Sequence, residues 1–182
     1  DLHRSIVKSS NVYYYMLAND MGVDLIHDFM KPMGFGQVTG IDIPGETRGV
    51  LPSTDWKRRT YKRPEQQRWY AGETISLGIG QGYNNFTMLQ LASATATVAA
   101  GGVHHTPHLV KAQQDAISLQ VKELPQPPGQ SMGYKPDHVA AVKRGMVGVT
   151  LEGTSRGVFA GAPYLSGGKT GTAQAVSIGQ KS

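Results

Sequence analysis

The chain has 182 residues, of which 39% are hydrophobic and 17% charged, the composition of a globular domain able to bury roughly 70% of its unfolded surface. No apolar run approaches the roughly 20 residues a membrane span needs, and the absence of cysteine excludes disulfides and thiolate metal sites within the chain. The net charge of +5 is concentrated rather than spread: Lys57, Arg58, Arg59, Lys62, Arg63 and Arg68 fall within twelve positions, with Glu65 as the only acid among them. Such a run reads as a solvated basic loop facing acidic lipid or a partner, and not as a nucleic-acid surface.

In chain order, Ser9-Ser10-Asn11 precedes an apolar segment from Val12 to Met21 that stops at Gly22, the pattern of a capped helix with glycine just past its end. A second helix follows Asp24, with Leu25, Ile26, Phe29 and Met30 on one face and Pro32 beyond it, so the two form a helical hairpin. Residues 34–52 are rich in glycine and proline and predict short extended pieces and turns. Thr74 to Ile79 alternates as a strand would before Gly80-Gln81-Gly82, where a dinucleotide fingerprint fails for want of glycine at Tyr83.

Thr87 and Gln90 have capping-box spacing and open a small-residue helix carrying Leu91, Ala94 and Val98 inward, to end at Gly101-Gly102. Val103 to Ala112 predicts a strand interrupted by Pro107; His104, His105 and His108 lie in it without the cysteine or carboxylate that would complete a metal set. Residues 113–135 form a polar surface excursion, and Pro136-Asp137 starts a helix with Val139, Val142, Met146 and Val149 on one face, ended by Gly153-Thr154-Ser155.

The stretch Ser166-Gly167-Gly168-Lys169-Thr170-Gly171-Thr172-Ala173-Gln174 sets one cation among residues of little bulk. Two readings fit: a surface hairpin, or an edge strand with Lys169 and Gly171 on one side and Thr170 and Thr172 on the other. In the second, Gly171 lets an acyl group approach the backbone, and Lys169 attracts a carboxylate by about 4 kcal/mol at 4 Å if the site is partly dry. A phosphate loop is excluded because Pro163 stands where its first glycine belongs.

Ser9-x-Asn11 at a helix entrance, with Lys169-Thr170-Gly171-Thr172 far downstream, resembles the second and third motifs of the penicilloyl-serine transferases, the superfamily of penicillin-binding proteins and serine β-lactamases. Thr39-Gly40-Ile41-Asp42-Ile43-Pro44-Gly45-Glu46, Leu51-Pro52, Gly78 to Gly82 and Leu89 to Ala92 are similar to segments of class B penicillin-binding proteins. The resemblance covers nearly the whole chain and leans to the elongation-type branch, with the division-type branch as its rival. It implies an α+β (α/β sandwich) fold, an antiparallel sheet with helices on both faces. It implies too that residues 1–182 are part of one transpeptidase domain, with the nucleophile segment before Asp1 and the last strands and closing helix beyond Ser182.

Ser5-Ile6-Val7-Lys8 matches the letters of the nucleophile motif, but Lys8 abuts Ser9, and two walls of a cleft cannot share one turn of chain. The resemblance therefore places the nucleophile upstream, and the 182 residues by themselves are expected to be inactive. It assigns proton relay to Ser9 and the substrate's acyl-side amide to Asn11. Lys169 supplies positive potential, Thr170 and Thr172 receive the terminal carboxylate, Gly171 gives close approach, and the Thr172 N–H is an oxyanion donor. For Ser9 a plain helix cap is the competing reading.

The activity so implied is transpeptidation of peptidoglycan stem peptides through an acyl-serine, blocked by β-lactams, with no cofactor, no metal and no nucleic-acid partner. The intact protein would be periplasmic, anchored in the inner membrane, and partnered by a cell-wall elongation glycosyltransferase. A serine β-lactamase, a D,D-carboxypeptidase, or a non-catalytic sensor module stays open beside it.

Overall fold

A computed structural model of the chain describes residues 1–173; Gln174, the last residue of the lysine stretch, lies outside the described residues. The helices are α1 (Leu2–Val7), α2 (Asn11–Met21), α3 (Val23–Met30), α4 (Thr54–Thr60), α5 (Pro64–Gln67), α6 (Ala71–Leu77), α7 (Met88–Ala99), α8 (Pro136–Leu151) and α9 (Arg156–Phe159), with a 3-10 turn at Lys31–Met33. The strands are β1 (Val103–His104), β2 (Ala112–Gln114), β3 (Val121–Glu123) and β4 (Gln130–Ser131). β1 pairs antiparallel with β4, Val103 opposite Ser131, and β2 with β3, Ala112 opposite Glu123. The mixed α+β class expected from sequence holds, and among the described residues its antiparallel pairing consists of these two ribbons and a single bridge between Val50 and Asn85.

The hairpin of α2 and α3 turns at Gly22, whose φ of 75° is the conformation glycine reaches without a Cβ penalty. α3 begins at Val23, two residues earlier than expected, and Asp24 does not cap it but accepts from Thr54 N at 2.8 Å and Thr54 Oγ1 at 2.7 Å. Its inward residue is Val23; Leu25 and Phe29 are exposed, Phe29 stacking on Tyr134. The capping box at Thr87 and Gln90 is present, but α7 turns a polar face inward: Gln90, Ser93, Ala94 and Thr97 are buried while Leu91 is exposed. Gln90 is sealed from solvent because its amide donates to Gln37 O at 2.5 Å and Arg48 O at 2.8 Å, pinning the extended 34–52 segment. Beside it sits the apolar centre of Phe35, Leu51 and Ala94, with Met30, Met33 and Phe86 packed around.

Three expectations are corrected. Thr74 to Ile79, read as an alternating strand, is helix as far as Leu77 in α6 and turn beyond it, since Glu73 reaches back to accept from Tyr70 N at 2.8 Å and starts a helix there. The basic loop is partly helical, in α4 and α5, and while Arg58, Arg59, Lys62, Arg63 and Arg68 are exposed as expected, Lys57 is buried at 3% exposure. The 103–112 strand is reduced to β1 and β2 around the break at Pro107.

α8 forms as its apolar spacing predicts, Val139 and Val149 buried, and its Gly145 and Gly148 make a shallow face on which α1 lies. A Cβ at Gly145 would come 2.7 Å from Ile6 Cδ1, and one at Gly148 2.6 Å from Val7 Cγ2, so glycine alone admits this approach.

Candidate active site

α1 ends against α8 and the chain reverses into α2 through Ser9, whose φ of 52° puts a non-glycine residue in the left-handed region at a cost of about 1–2 kcal/mol. Ser9 N–H donates to Ile6 O at 3.2 Å and Ser10 N–H to Ser5 O at 3.0 Å, closing the turn. The α2 cap is Ser10, whose Oγ accepts from Tyr13 N at 3.5 Å. Ser9 therefore has its hydroxyl free of capping, which removes the competing reading for that residue. Asn11 is the first residue of α2 and is exposed.

The other half of the site is strapped to the same helix. Thr150 Oγ1, on α8, donates to Ser166 O at 2.7 Å, and Gly168 N–H donates to Met146 O at 3.0 Å. The strap delivers Lys169 so that Nζ donates to Ser9 Oγ at 2.6 Å and to Thr170 O at 2.9 Å. The two groups are 160 residues apart in sequence. Desolvation lowers the Lys169 pKa from its ordinary 10.5, although the residue as a whole is exposed. No carboxylate pairs with it among the described residues, so its charge faces one hydroxyl and one carbonyl.

Residues 166–173 form neither helix nor ladder; the expected edge strand is thus corrected to an unpaired segment, there being no neighbouring strand for it among the described residues. Thr170 Oγ1 lies 3.1 Å from Thr154 Oγ1, a contact the sequence did not reveal because Thr154 read only as part of a helix terminator. An added Cβ at Gly171 would meet no atom within 4 Å, so that position faces open space. Gly171 and Thr172 line a largely apolar cavity of about 1150 Å³ whose other walls include Tyr14 of α2, Trp56, Tyr61 and Gly80 to Tyr83. Ser9, Asn11 and Lys169 do not line it.

Ser5 and Lys8 are not brought together. Ser5 is buried at 4% exposure, its Oγ donating to Leu2 O at 2.7 Å, and Lys8 Nζ donates to Glu152 O at 3.1 Å at the end of α8. Of the three histidines, His104 Nδ1 is 3.2 Å from Thr97 Oγ1, while His105 and His108 are exposed.

Chemically, a lysine ammonium on a serine hydroxyl can polarise that hydroxyl and carry a proton; Asn11, two residues after Ser9, is exposed. The chain is 42% identical over 180 residues to the peptidoglycan D,D-transpeptidase MrdA of Acinetobacter baumannii, covering 99% of this chain and 26% of that protein. The chain thus spans about a quarter of the length of the curated relatives it matches. A crystal structure of Pseudomonas aeruginosa PBP2 in complex with WCK 5153 superposes with a TM-score of 0.80 at 39% identity, over 95% of this chain and 38% of that one. The complex of PBP2 and MreC from Helicobacter pylori gives a TM-score of 0.79 at 28% identity, over 96% of this chain and 30% of that one. The family model for the penicillin-binding protein transpeptidase domain matches residues 1–182, and the chain belongs to that family.

Proposed function

We propose that the protein carrying this chain is a peptidoglycan D,D-transpeptidase of the elongation type. It cross-links stem peptides through an acyl-serine intermediate and is inactivated by β-lactams. The observation that carries this reading is the 2.6 Å hydrogen bond from Lys169 Nζ to Ser9 Oγ. The burial of Ser5 and the turning of Lys8 to Glu152 O support a nucleophilic serine upstream of Asp1, within a transpeptidase domain of which residues 1–182 form one part.

The upstream serine adds to the carbonyl of the penultimate D-alanine. Its proton passes by way of Ser9 to the departing D-alanine amine as the C–N bond breaks and the ester forms. An amine of a neighbouring stem peptide then attacks the ester, gives up a proton along the same relay, and returns the serine. Lys169 keeps the Ser9 hydroxyl polarised and the local potential positive. Asn11 holds the acyl-side amide, Thr170 and Thr172 take the terminal carboxylate, and the Thr172 N–H donates to the oxyanion, a contact worth about 3–4 kcal/mol. Gly171 leaves the backbone bare where the acyl group lies.

The protein would work in the periplasm, anchored in the inner membrane by segments other than these, since no helix among the described residues is long and apolar enough to cross it. An elongation glycosyltransferase would be its partner. The test is Lys169→Ala in the intact protein, followed with a fluorescent penicillin: labelling should vanish while the melting temperature holds. Labelling at the parental rate removes Lys169 from the site. Rapid turnover of penicillin by the parent, in place of a lasting adduct, would point to a β-lactamase or carboxypeptidase.

A further inference from the structure

Lys57 is buried at 3% exposure, the one charged residue among the buried ones described, and its place in a cationic run gave no hint of this. Its Nζ donates to Arg68 O at 2.8 Å and to Glu73 Oε1, and the ring centroids of Trp69, Tyr70 and Tyr83 stand 5.4, 5.4 and 5.5 Å from it. Glu73 is saturated as well: Oε1 also accepts from Tyr83 Oη at 2.8 Å, and Oε2 accepts from Tyr70 N at 2.8 Å in the first turn of α6. Trp69 Nε1 donates to Thr74 Oγ1 at 2.8 Å, a third tie on the same turn. An ion pair withdrawn from water is a poor way to gain stability compared with apolar packing of the same volume. What this arrangement supplies is a single fixed position for α6.

The far end of α6 shows what that position governs. A Cβ at Gly78 would lie 2.6 Å from Ala18 Cβ and 2.7 Å from Tyr14 O, so α6 ends directly against the backbone of α2. α2 opens with Asn11, two residues after Ser9. We infer that Lys57 and Glu73 are positioning residues, fixing through α6 and its Gly78 contact the placement of the Ser9–Asn11 corner against Lys169. The inference rests on the acyl-transfer reading of that corner. α2 transmits the constraint as a rigid rod held against α6 along its middle, at Tyr14 and Ala18, with its first residue at the site.

The experiment is stopped-flow acylation of the full-length protein by a fluorescent penicillin, resolving the dissociation constant from the acylation rate constant, beside thermal unfolding. The variants are Glu73→Gln, Lys57→Met, the two together, and Gly78→Ala, with Lys169→Ala as control. The acylation rate constant should fall about tenfold in Glu73→Gln and in the double variant, with the dissociation constant changed less than about twofold. In the double variant this slowing should persist even as the melting temperature returns toward the parent's, because no unpaired buried charge remains. Gly78→Ala should slow acylation similarly, and its combination with Glu73→Gln should add little. A parental rate constant in the double variant, or rate losses that track melting temperature, would overturn the inference. Should the Glu73 variants not fold, a parental rate in Gly78→Ala overturns it alone. Parental labelling of Lys169→Ala would instead sink the underlying site reading.

Discussion

Two lysines divide the molecule between them. Lys57 is enclosed by three rings and satisfied by a carboxylate and a carbonyl; Lys169 is exposed, and its partners are the Ser9 hydroxyl and the Thr170 carbonyl. A lysine that has met its counter-ion is a strut, since any further anion would have to displace an existing partner. A lysine without one retains its attraction for a carboxylate brought from outside. Neither proximity to other cations nor sequence context separates the two; the difference lies in which side chains surround each ammonium.

The sharpest way to break this contrast is to remove each lysine in turn from the intact protein. Lys57→Ala leaves Glu73 without its partner and should cost about 3 kcal/mol or more. Trp56 and Trp69 both pack on Tyr83, so their fluorescence in a denaturant titration reads that loss directly. Lys169→Ala should change stability by no more than about 0.5 kcal/mol. Equal losses at the two positions would erase the distinction between them.

The paired serines sharpen it next. Ser9→Ala should slow penicillin acylation on the order of a hundredfold with the fold retained, because the α2 cap is its neighbour. Ser10→Ala should do the reverse, costing about 1 kcal/mol of stability with acylation nearly unchanged. Rate measurements and melting curves on the two single variants check both halves.

Acid titration separates the regions by another route. Burial by itself would raise the Glu73 pKa, but the hydrogen bonds from Lys57, the Tyr70 backbone and Tyr83 outweigh it and leave the group below its ordinary 4.5. A depressed carboxyl stabilises the fold fully above its unfolded pKa and loses that contribution as pH falls through the folded one. Stability should thus decline below pH 4.5 in the parent, and Glu73→Gln should flatten that limb when unfolding is followed from neutral pH into acid. The smallest effect on stability belongs to Gly171→Ala: its new methyl meets no protein atom, so unfolding should shift by less than about 0.5 kcal/mol while acylation slows. Unaltered acylation there would mean that no ligand approaches this backbone.

Much of this was legible in the sequence, for reasons that differ by element. α2, α7 and α8 announce themselves through Gly22, the Thr87–Gln90 box and Pro136, local signals that do not depend on tertiary partners. Ser9, Asn11 and Lys169 were legible as motif letters, and the structure brings Ser9 to Lys169 across 160 residues. Thr74 to Ile79 misled because so short an alternation also fits the last turn of a helix, and only the reach of Glu73 to Tyr70 decides between them. Lys57 misled because its burial depends on Trp69, Tyr70 and Tyr83, which no charge pattern marks. The inward face of α7 could not be read from hydrophobicity at all, since the residue most sealed from water is Gln90.

α8 carries one further consequence. α1 rests on its glycine face at Gly145 and Gly148, while Ser166 and Gly168 are bonded to it at Thr150 and Met146. The gap between the two halves of the site is therefore gauged by a single rod instead of by the long excursion that separates them in the chain. Thickening that rod by even a methyl group on its glycine side would spread the jaws it holds, as a shim widens a caliper.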